Sequence, residues 1–250
     1  PKRFFQPAKP PQYGEAELAE ATKSIFSSRG IEKLYAHQAE GIKLAKEGKN
    51  VVIVAPTASG KSEIYMSAII DAALSGQSSL VIYPTKALSR DQMKRFEAFA
   101  LYGIRAEIYD GDVSDQKREK IRKTPPQVLI TNFDMLHFML MGNSGFQNFF
   151  RKLRILVVDE LHSYSGVFGG HASNIIWRLK RLIHKKYKSK MQFICTSATI
   201  GNAKEFAELI FKERFEEVRT EGAGCGEIEH ILISPDGESY TTVSLRVAEK

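Results

Sequence analysis

The sequence predicts an α/β fold: a doubly wound, mostly parallel sheet with helices on both faces. Three observations predict it. Short, wholly apolar runs bounded by turn residues recur along the chain, as strands buried on both faces require. A helical period follows each run, so the connections are crossovers rather than hairpins. The composition, 43% hydrophobic and 26% charged over 250 residues, supplies a core without a metal or disulfide staple and excludes a disordered, collagenous or low-complexity chain. Cys195 and Cys225 make neither a disulfide framework nor a zinc cluster. No apolar run approaches the ~20 residues that cross a bilayer, and P-K-R-F-F-Q-P at the start has no secretory apolar region. Lys plus Arg number 36 against 29 acidic residues, a net charge of +7 that favours a polyanionic partner without deciding one.

The elements follow in order. Residues 1–14 carry four prolines and read as an extended arm, or the stub of something removed upstream. Leu18, Ile25 and Phe26 fit a helix over 15–27 that Gly30 ends, and 37–47 reads as a second helix before Gly48. V-V-I-V-A (51–55) opens the alternation as a strand, with a helix over 62–74. Strand–helix pairs follow at 80–83 and 88–100, 106–109 and 114–123, and 128–131 and 134–141. I-L-V-V-D (155–159) is the clearest strand; Ile175, Ile176, Leu179, Leu182 and Ile183 then stripe a helix over 172–184. The sixth strand is Q-F-I-C-T (192–196), followed by a helix over 203–211. E-G-A-G-C-G (221–226) has linker composition, and I-L-I-S (231–234) and T-V-S-L (242–245) are candidate strands in a tail too short to be a domain.

The chemistry starts between the first strand and its helix, where residues 55–62 read A-P-T-A-S-G-K-S. This is the P-loop pattern, with Ala55 in the place of the usual first glycine. Backbone N–H groups of Thr57, Ala58, Ser59 and Gly60 converge on phosphates at the positive end of the following helix. Lys61 reaches the β/γ-phosphates and the Ser62 hydroxyl reaches Mg²⁺. Asp159 and Glu160 close the fifth strand at the carboxyl edge of the sheet, where open α/β folds take ligands. Two carboxylates there divide the work: Asp159 holds Mg²⁺, and Glu160 orients and deprotonates the attacking water. The expected cofactors are therefore ATP and Mg²⁺.

D-E-L-H (159–162) and S-A-T (197–199), together with the P-loop, resemble motifs II, III and I of a superfamily 2 helicase of DExH (DEAH box) type. The resemblance covers about 15–211 and implies the first RecA-like domain, a P-loop NTPase fold. Y-P-T-K-A-L (83–88) resembles motif Ia; Y-D-G-D-V (109–113) and T-N-F-D-M-L-H (131–137) resemble the motif Ib region. L-Y-A-H-Q (34–38) resembles the segment that sets a glutamine, here Gln38, on the adenine edge. D-E-L-H-S-Y-S-G-V-F-G-G-H, then N-I-I-W-R-L-K-R-L, then S-A-T-I-G-N is similar to the MrfA (YprA-like) branch of DNA-repair helicases. That branch implies an ATP hydrolase moving 3′→5′ on single-stranded DNA, in the cytoplasm with the nucleoid or in the nucleus. The sequence departs from the family at Leu161, where alanine is common, and at Phe133, where proline is frequent. After Thr199 nothing resembles the second RecA-like domain, which in this superfamily supplies the arginine finger, and the branch's four-cysteine module is absent.

The resemblance assigns strand contacts to Pro84, Thr85, Lys86, Gly111, Thr131 and Asn132, and coupling of the nucleotide to the strand to His162, Ser197, Ala198 and Thr199. Helix caps are the competing reading for the polar strand contacts, and a histidine without a role for His162. Arg178, Lys180, Arg181, Lys185, Lys186, Lys188 and Lys190 form either a solvated face or a nucleic-acid-facing patch. Gly166, Gly169 and Gly170 suggest a mobile loop. The expected organisation is an arm (1–14), a RecA-like ATP-binding domain (15–220), and a linker or the start of a truncated second domain (221–250). The expected partners are single-stranded DNA and a second RecA-like domain, with no membrane. The alternatives are an RNA-directed helicase, a nucleotide-regulated binding module without turnover, and a P-loop metabolic kinase that leaves D-E-L-H and S-A-T unexplained.

Overall fold

The computed structural model describes residues 2–56, 59–141, 145–219, 224 and 226–232. Its elements run β1 (Lys2–Gln6), β2 (Tyr13–Gly14), α1 (Glu20–Ser28), β3 (Leu34–Tyr35), α2 (Ala36–Lys46), β4 (Val51–Val54), α3 (Lys61–Leu74), β5 (Ser78–Ile82), α4 (Lys86–Met93), β6 (Ala106–Ile108), α5 (Asp115–Lys123), β7 (Val128–Thr131), α6 (Phe133–Met139), α7 (Gln147–Lys152), β8 (Leu153–Val158), α8 (Gly166–Tyr187), β9 (Gln192–Ser197), α9 (Ala203–Phe211), β10 (Glu216–Arg219) and β11 (Ile228–Leu232). Two compact units result, one of Pro1–Gln12 with Gly222–Lys250 and one of Tyr13–Glu221. In the smaller, β1 and β11 pair antiparallel, with Phe4 opposite His230.

The larger unit carries a seven-stranded, wholly parallel sheet in the order β10-β4-β9-β8-β5-β7-β6. Alternate residues of each strand enter opposite apolar layers, as the two-residue pleat requires. Val52, Val54, Leu156 and Val158 pack under α6 to α9, while Val51, Ile53, Ile155 and Val157 pack under α1 to α3. Both layers are apolar, which explains why the central strands read as apolar runs. Among the described residues no helix is long and apolar enough to cross a membrane.

The structure departs from the expectations at five places. A seventh strand, β10, joins the edge beside β4; its sequence E-E-V-R shows no apolar run because only Val218 is buried. Helix α7 is six residues long, too short for a period, and is held by Phe149 and Phe150 in the core. The helix expected over 88–100 is α4 followed by a 3₁₀ segment, Lys94–Tyr102, which shifts the period so that Phe99 is buried and Ala100 exposed. Helix α1 begins at Glu20, five residues later than expected. Gly166, Gly169 and Gly170 lie in α8, not in a mobile loop. There a Cβ on Gly169 would meet the Tyr164 carbonyl oxygen at 2.3 Å. The expected strand at 242–245 lies outside the described residues.

Candidate nucleotide site and strand-contacting loops

Sheet order brings the motifs together. The carboxyl ends of β4, β9, β8, β5 and β7 are successive neighbours, and they carry in turn the P-loop, S-A-T, D-E-L-H, Y-P-T-K and T-N-F-D. Thr57 and Ala58 lie outside the described residues. Gly60 is in the left-handed region at φ 78°, and a Cβ there would fall 2.2 Å from Gln38 Nε2. Both the torsion and the close approach demand glycine. Lys61 is buried and its Nζ donates to the carbonyls of Ala55 at 2.7 Å and Pro56 at 3.2 Å. The ammonium thus spans the loop's mouth, tethered by neutral acceptors that an anion can displace.

Two side chains from α2 hold the loop from behind. Gln38 Nε2 donates to Gly60 O at 2.9 Å, and Gln38 Oε1 accepts from Tyr35 N at 2.9 Å. An adenine edge is therefore left only the second N–H and the second lone pair of the Gln38 amide. His37 Nε2 meets Ser59 O at 2.9 Å, and its buried Nδ1 has no partner, so burial pushes the imidazole pKa below its usual value. Beside them lies a cleft of about 650 Å³ lined by Tyr13, Arg29, Tyr35, Gln38, Glu63 and Arg95 among others. Tyr13 and Tyr35 stack at 5.7 Å, and buried Glu63 accepts from Arg29 at 2.8 Å. Tyr13, His37, Glu63 and Arg95 were not foreseen as site residues; they come from four separate places in the chain, with only His37 inside a recognised motif.

Asp159 is buried, and its carboxyl pKa is raised chiefly by that burial, against the Thr196 hydroxyl that donates to it. Thr196 Oγ1 also accepts from Glu160 N at 3.3 Å, so one hydroxyl joins both carboxylate residues to β9. Thr196 immediately precedes S-A-T, and its strand-like run disguised it. Glu160 sits at φ 51°, an uncommon torsion for a side-chain-bearing residue that turns the chain sharply out of β8. His162 Nδ1 accepts from Ala198 N at 3.1 Å and stands 3.4 Å from Glu160 Oε2. The N–H of Ala198 points at that nitrogen, so Nδ1 is the acceptor and the glutamate contact is not a hydrogen bond in this arrangement. Ser197 O accepts from Ala55 N at 3.4 Å, and the buried Ser197 hydroxyl has no partner; Thr199 is exposed. Asp159 and Ser62 offer a carboxylate and a hydroxyl, the hard oxygen donors that Mg²⁺ takes alongside phosphate and water. The buried, cation-poor carboxylate fits such an ion.

The strand-contact residues divide. Thr131 is buried and its hydroxyl donates to Tyr109 O at 2.6 Å, turned into the protein. Thr85 Oγ1 and Asn132 Oδ1 cap α4 and α6 by accepting from Leu88 N and Met135 N. Lys86 Nζ is paired with Asp112 at 2.5 Å beside Gly111, and Arg90 takes the other carboxylate oxygen. Those two cations hold the Asp112 carboxyl below its usual range. Phe133 packs edge-on against Tyr164 at 4.9 Å.

The DEAD/DEAH box helicase family pattern matches residues 35–206. The chain belongs to that family. Within it, this helicase domain is 38% identical over 224 residues to the "Uncharacterized ATP-dependent helicase YprA" of Bacillus subtilis, a match covering 87% of the chain and 30% of that protein. It is 39% identical over 190 residues to "ATP-dependent helicase HRQ1" of Saccharomyces cerevisiae, covering 72% of the chain and 18% of that protein. It superposes on "DUF1998 helicase MrfA bound to DNA" with a TM-score of 0.89 at 34% identity, covering all of this chain and 37% of that one. MrfA has also been solved with DNA and AMPPNP, with the same TM-score. These likenesses bear out the MrfA (YprA-like) branch and the RecA-like fold. The chain spans between about a fifth and somewhat over a third of the length of these relatives.

Proposed function

We propose that residues 15–220 are the ATP-hydrolysing first RecA-like domain of a DNA helicase that moves along single-stranded DNA and serves DNA repair, in the nucleoid or the nucleus. The observation that carries this is the tie between D-E-L-H and S-A-T beside Lys61: Thr196 bonded to Asp159 and Glu160, and His162 bonded to Ala198. In this reading the loop amides and Lys61 bind the triphosphate, and Gln38 keeps the loop at the base cleft. Asp159 and Ser62 would hold Mg²⁺, which would supply neutralisation of phosphate charge. Glu160 accepts the proton of the attacking water. His162 passes any shift of Glu160 to the backbone of S-A-T, and the backbone of Pro84, Thr85, Lys86, Gly111 and Asn132 faces the strand's phosphates. A second RecA-like domain supplies the arginine that clamps the transition state.

DNA is preferred to RNA because MrfA is described bound to DNA and is 34% identical. Glu160→Gln tests the reading, because it keeps the shape and removes the base. Calorimetry should show ATP affinity within about twofold of wild type, while single-turnover hydrolysis falls at least ~100-fold. Unchanged hydrolysis would remove Glu160 from the chemistry and the reading with it.

A further inference from the structure

The edge of the sheet opposite the nucleotide carries a second feature. Where α8 ends and β9 begins, a cleft of about 830 Å³ is lined by Trp177, Arg181, Lys185, Lys190, Phe193 and Lys212 among others. Parallel strands all start at this edge, so β9, six residues long, separates the cleft from S-A-T by about 20 Å. The buried stripe of Ile175, Ile176, Leu179 and Ile183 turns the opposite side of α8 outward. On that side Trp177, Arg181 and Lys185 stand at four-residue spacing, one above another.

The cleft is both cationic and aromatic. Trp177 is 54% exposed, unusual for the largest apolar side chain, and the Arg181 guanidinium lies over its ring at 5.6 Å. Lys180 is already engaged, bonding Phe211 O at 2.8 Å and pairing with Glu213 at 2.5 Å. That pair neutralises the only carboxylate in the lining. Among the described residues no carboxylate lies within ion-pair distance of Arg181, Lys185, Lys190 or Lys212. The helix dipole accounts for His184, Lys185 and Lys186 in the last turn of α8, but not for Lys190, Lys212 or the exposed indole. Lys212 is moreover in the left-handed region at φ 53°, directly after α9, where glycine sits without strain. Lys212 delivers its charge to this cleft.

We infer that this cleft is a second binding site for single-stranded nucleic acid, in which a base stacks on Trp177 and the flanking phosphates meet Arg181, Lys185, Lys190 and Lys212. A stacking ring beside unpaired cations is the combination that holds single strands without regard to sequence. Set at the far edge from the motif loops, it would hold a strand outside the track on which the motor moves.

Trp177 is the only tryptophan in the 250 residues, so intrinsic fluorescence reads this site alone. A 20-nucleotide oligothymidylate added to the chain should quench it at least twofold, with an affinity that falls steeply with salt. Lys185→Glu with Lys190→Glu should weaken the quenching phase at least tenfold. Lys120→Glu with Lys123→Glu, the same charge change on exposed residues of α5, should leave it unaltered. Trp177→Ala should lower the affinity of this site about tenfold by anisotropy of a labelled strand. Binding seen by anisotropy without quenching would overturn the inference, as would equal quenching by duplex of the same length, by polyglutamate or by phosphatidylserine vesicles. So would an unchanged affinity in the Lys185/Lys190 variant.

Discussion

Lys61, Gln38 and His37 set different properties of one loop. Lys61→Ala removes the charge facing the phosphates, so ATP affinity by calorimetry should fall tenfold or more, and the buried Ala55 carbonyl loses its donor at a cost of about 1–3 kcal/mol in stability. Gln38→Ala removes the bridge between Tyr35 and Gly60. The loss should reach every nucleotide through the loop, and the ATP preference over GTP should narrow as well. Equal affinity for ATP and GTP in the wild type would confine Gln38 to holding the loop. His37 carries the pH dependence. Its folded pKa lies below 6.5, so the unfolded chain binds the extra proton, and stability falls as pH drops from 6.5 through the folded value. His37→Gln should flatten that part of a thermal-unfolding profile. P-loop, D-E-L-H and S-A-T were legible because each concentrates its chemistry in a few consecutive residues. The inward hydroxyl bond of Thr131 was not legible, because a threonine at a strand end reads the same whether its hydroxyl meets solvent or a neighbouring carbonyl.

At the scale of elements, the central strands were legible because burial on both faces makes them apolar runs, whereas the edge strand β6 is only half-buried and carries Glu107. Helix α7 and strand β10 were not legible, because partners distant in sequence stabilise them. Phe149 illustrates this: it is 1% exposed, in the core layer that also holds Leu80 of β5, Leu156 of β8 and Ile176 of α8. Phe149→Ala should cost about 3–5 kcal/mol by urea denaturation, far more than a six-residue helix contributes by itself. Helix α8 depends instead on a missing side chain. Gly169→Ala drives a methyl into the Tyr164 carbonyl, rigid backbone that cannot swing aside. Lower thermal stability should accompany slower ATP hydrolysis, because Tyr164 is two residues from His162. An unaltered melting temperature would mean that the start of α8 yields freely.

In the proposed reading the molecule as a whole supplies phosphate-binding, water-orienting and Mg²⁺-holding groups, and a second domain supplies the transition-state arginine. The 250-residue chain alone should bind Mg-ATP and bind single-stranded DNA with marked salt dependence. Its steady-state turnover should be slow and barely stimulated by DNA. An arginine finger contributes 10³–10⁵ in rate where one is used, so robust DNA-stimulated turnover by the purified monomer would place the charge-neutralising group within these residues. The pairing of β1 with β11, ends of the chain more than two hundred residues apart, leaves no local pattern.

Strand β4 bears on how the molecule is made. Its hydrogen-bonded neighbours are β9 and β10, the last two strands of the sheet in chain order. About 140 residues separate the end of β4 from the start of β9, on the order of ten seconds of synthesis on the ribosome. For that interval V-V-I-V has neither partner, and both its edges can pair with a wrong strand or a second nascent chain. The phosphate loop hangs from this strand, so nucleotide cannot guide folding until the sheet closes around it. Chains released before residue 216 lack β10 and keep one edge of β4 open. They should sediment as aggregates when expressed, whereas chains ending just beyond Arg219 should stay in the supernatant.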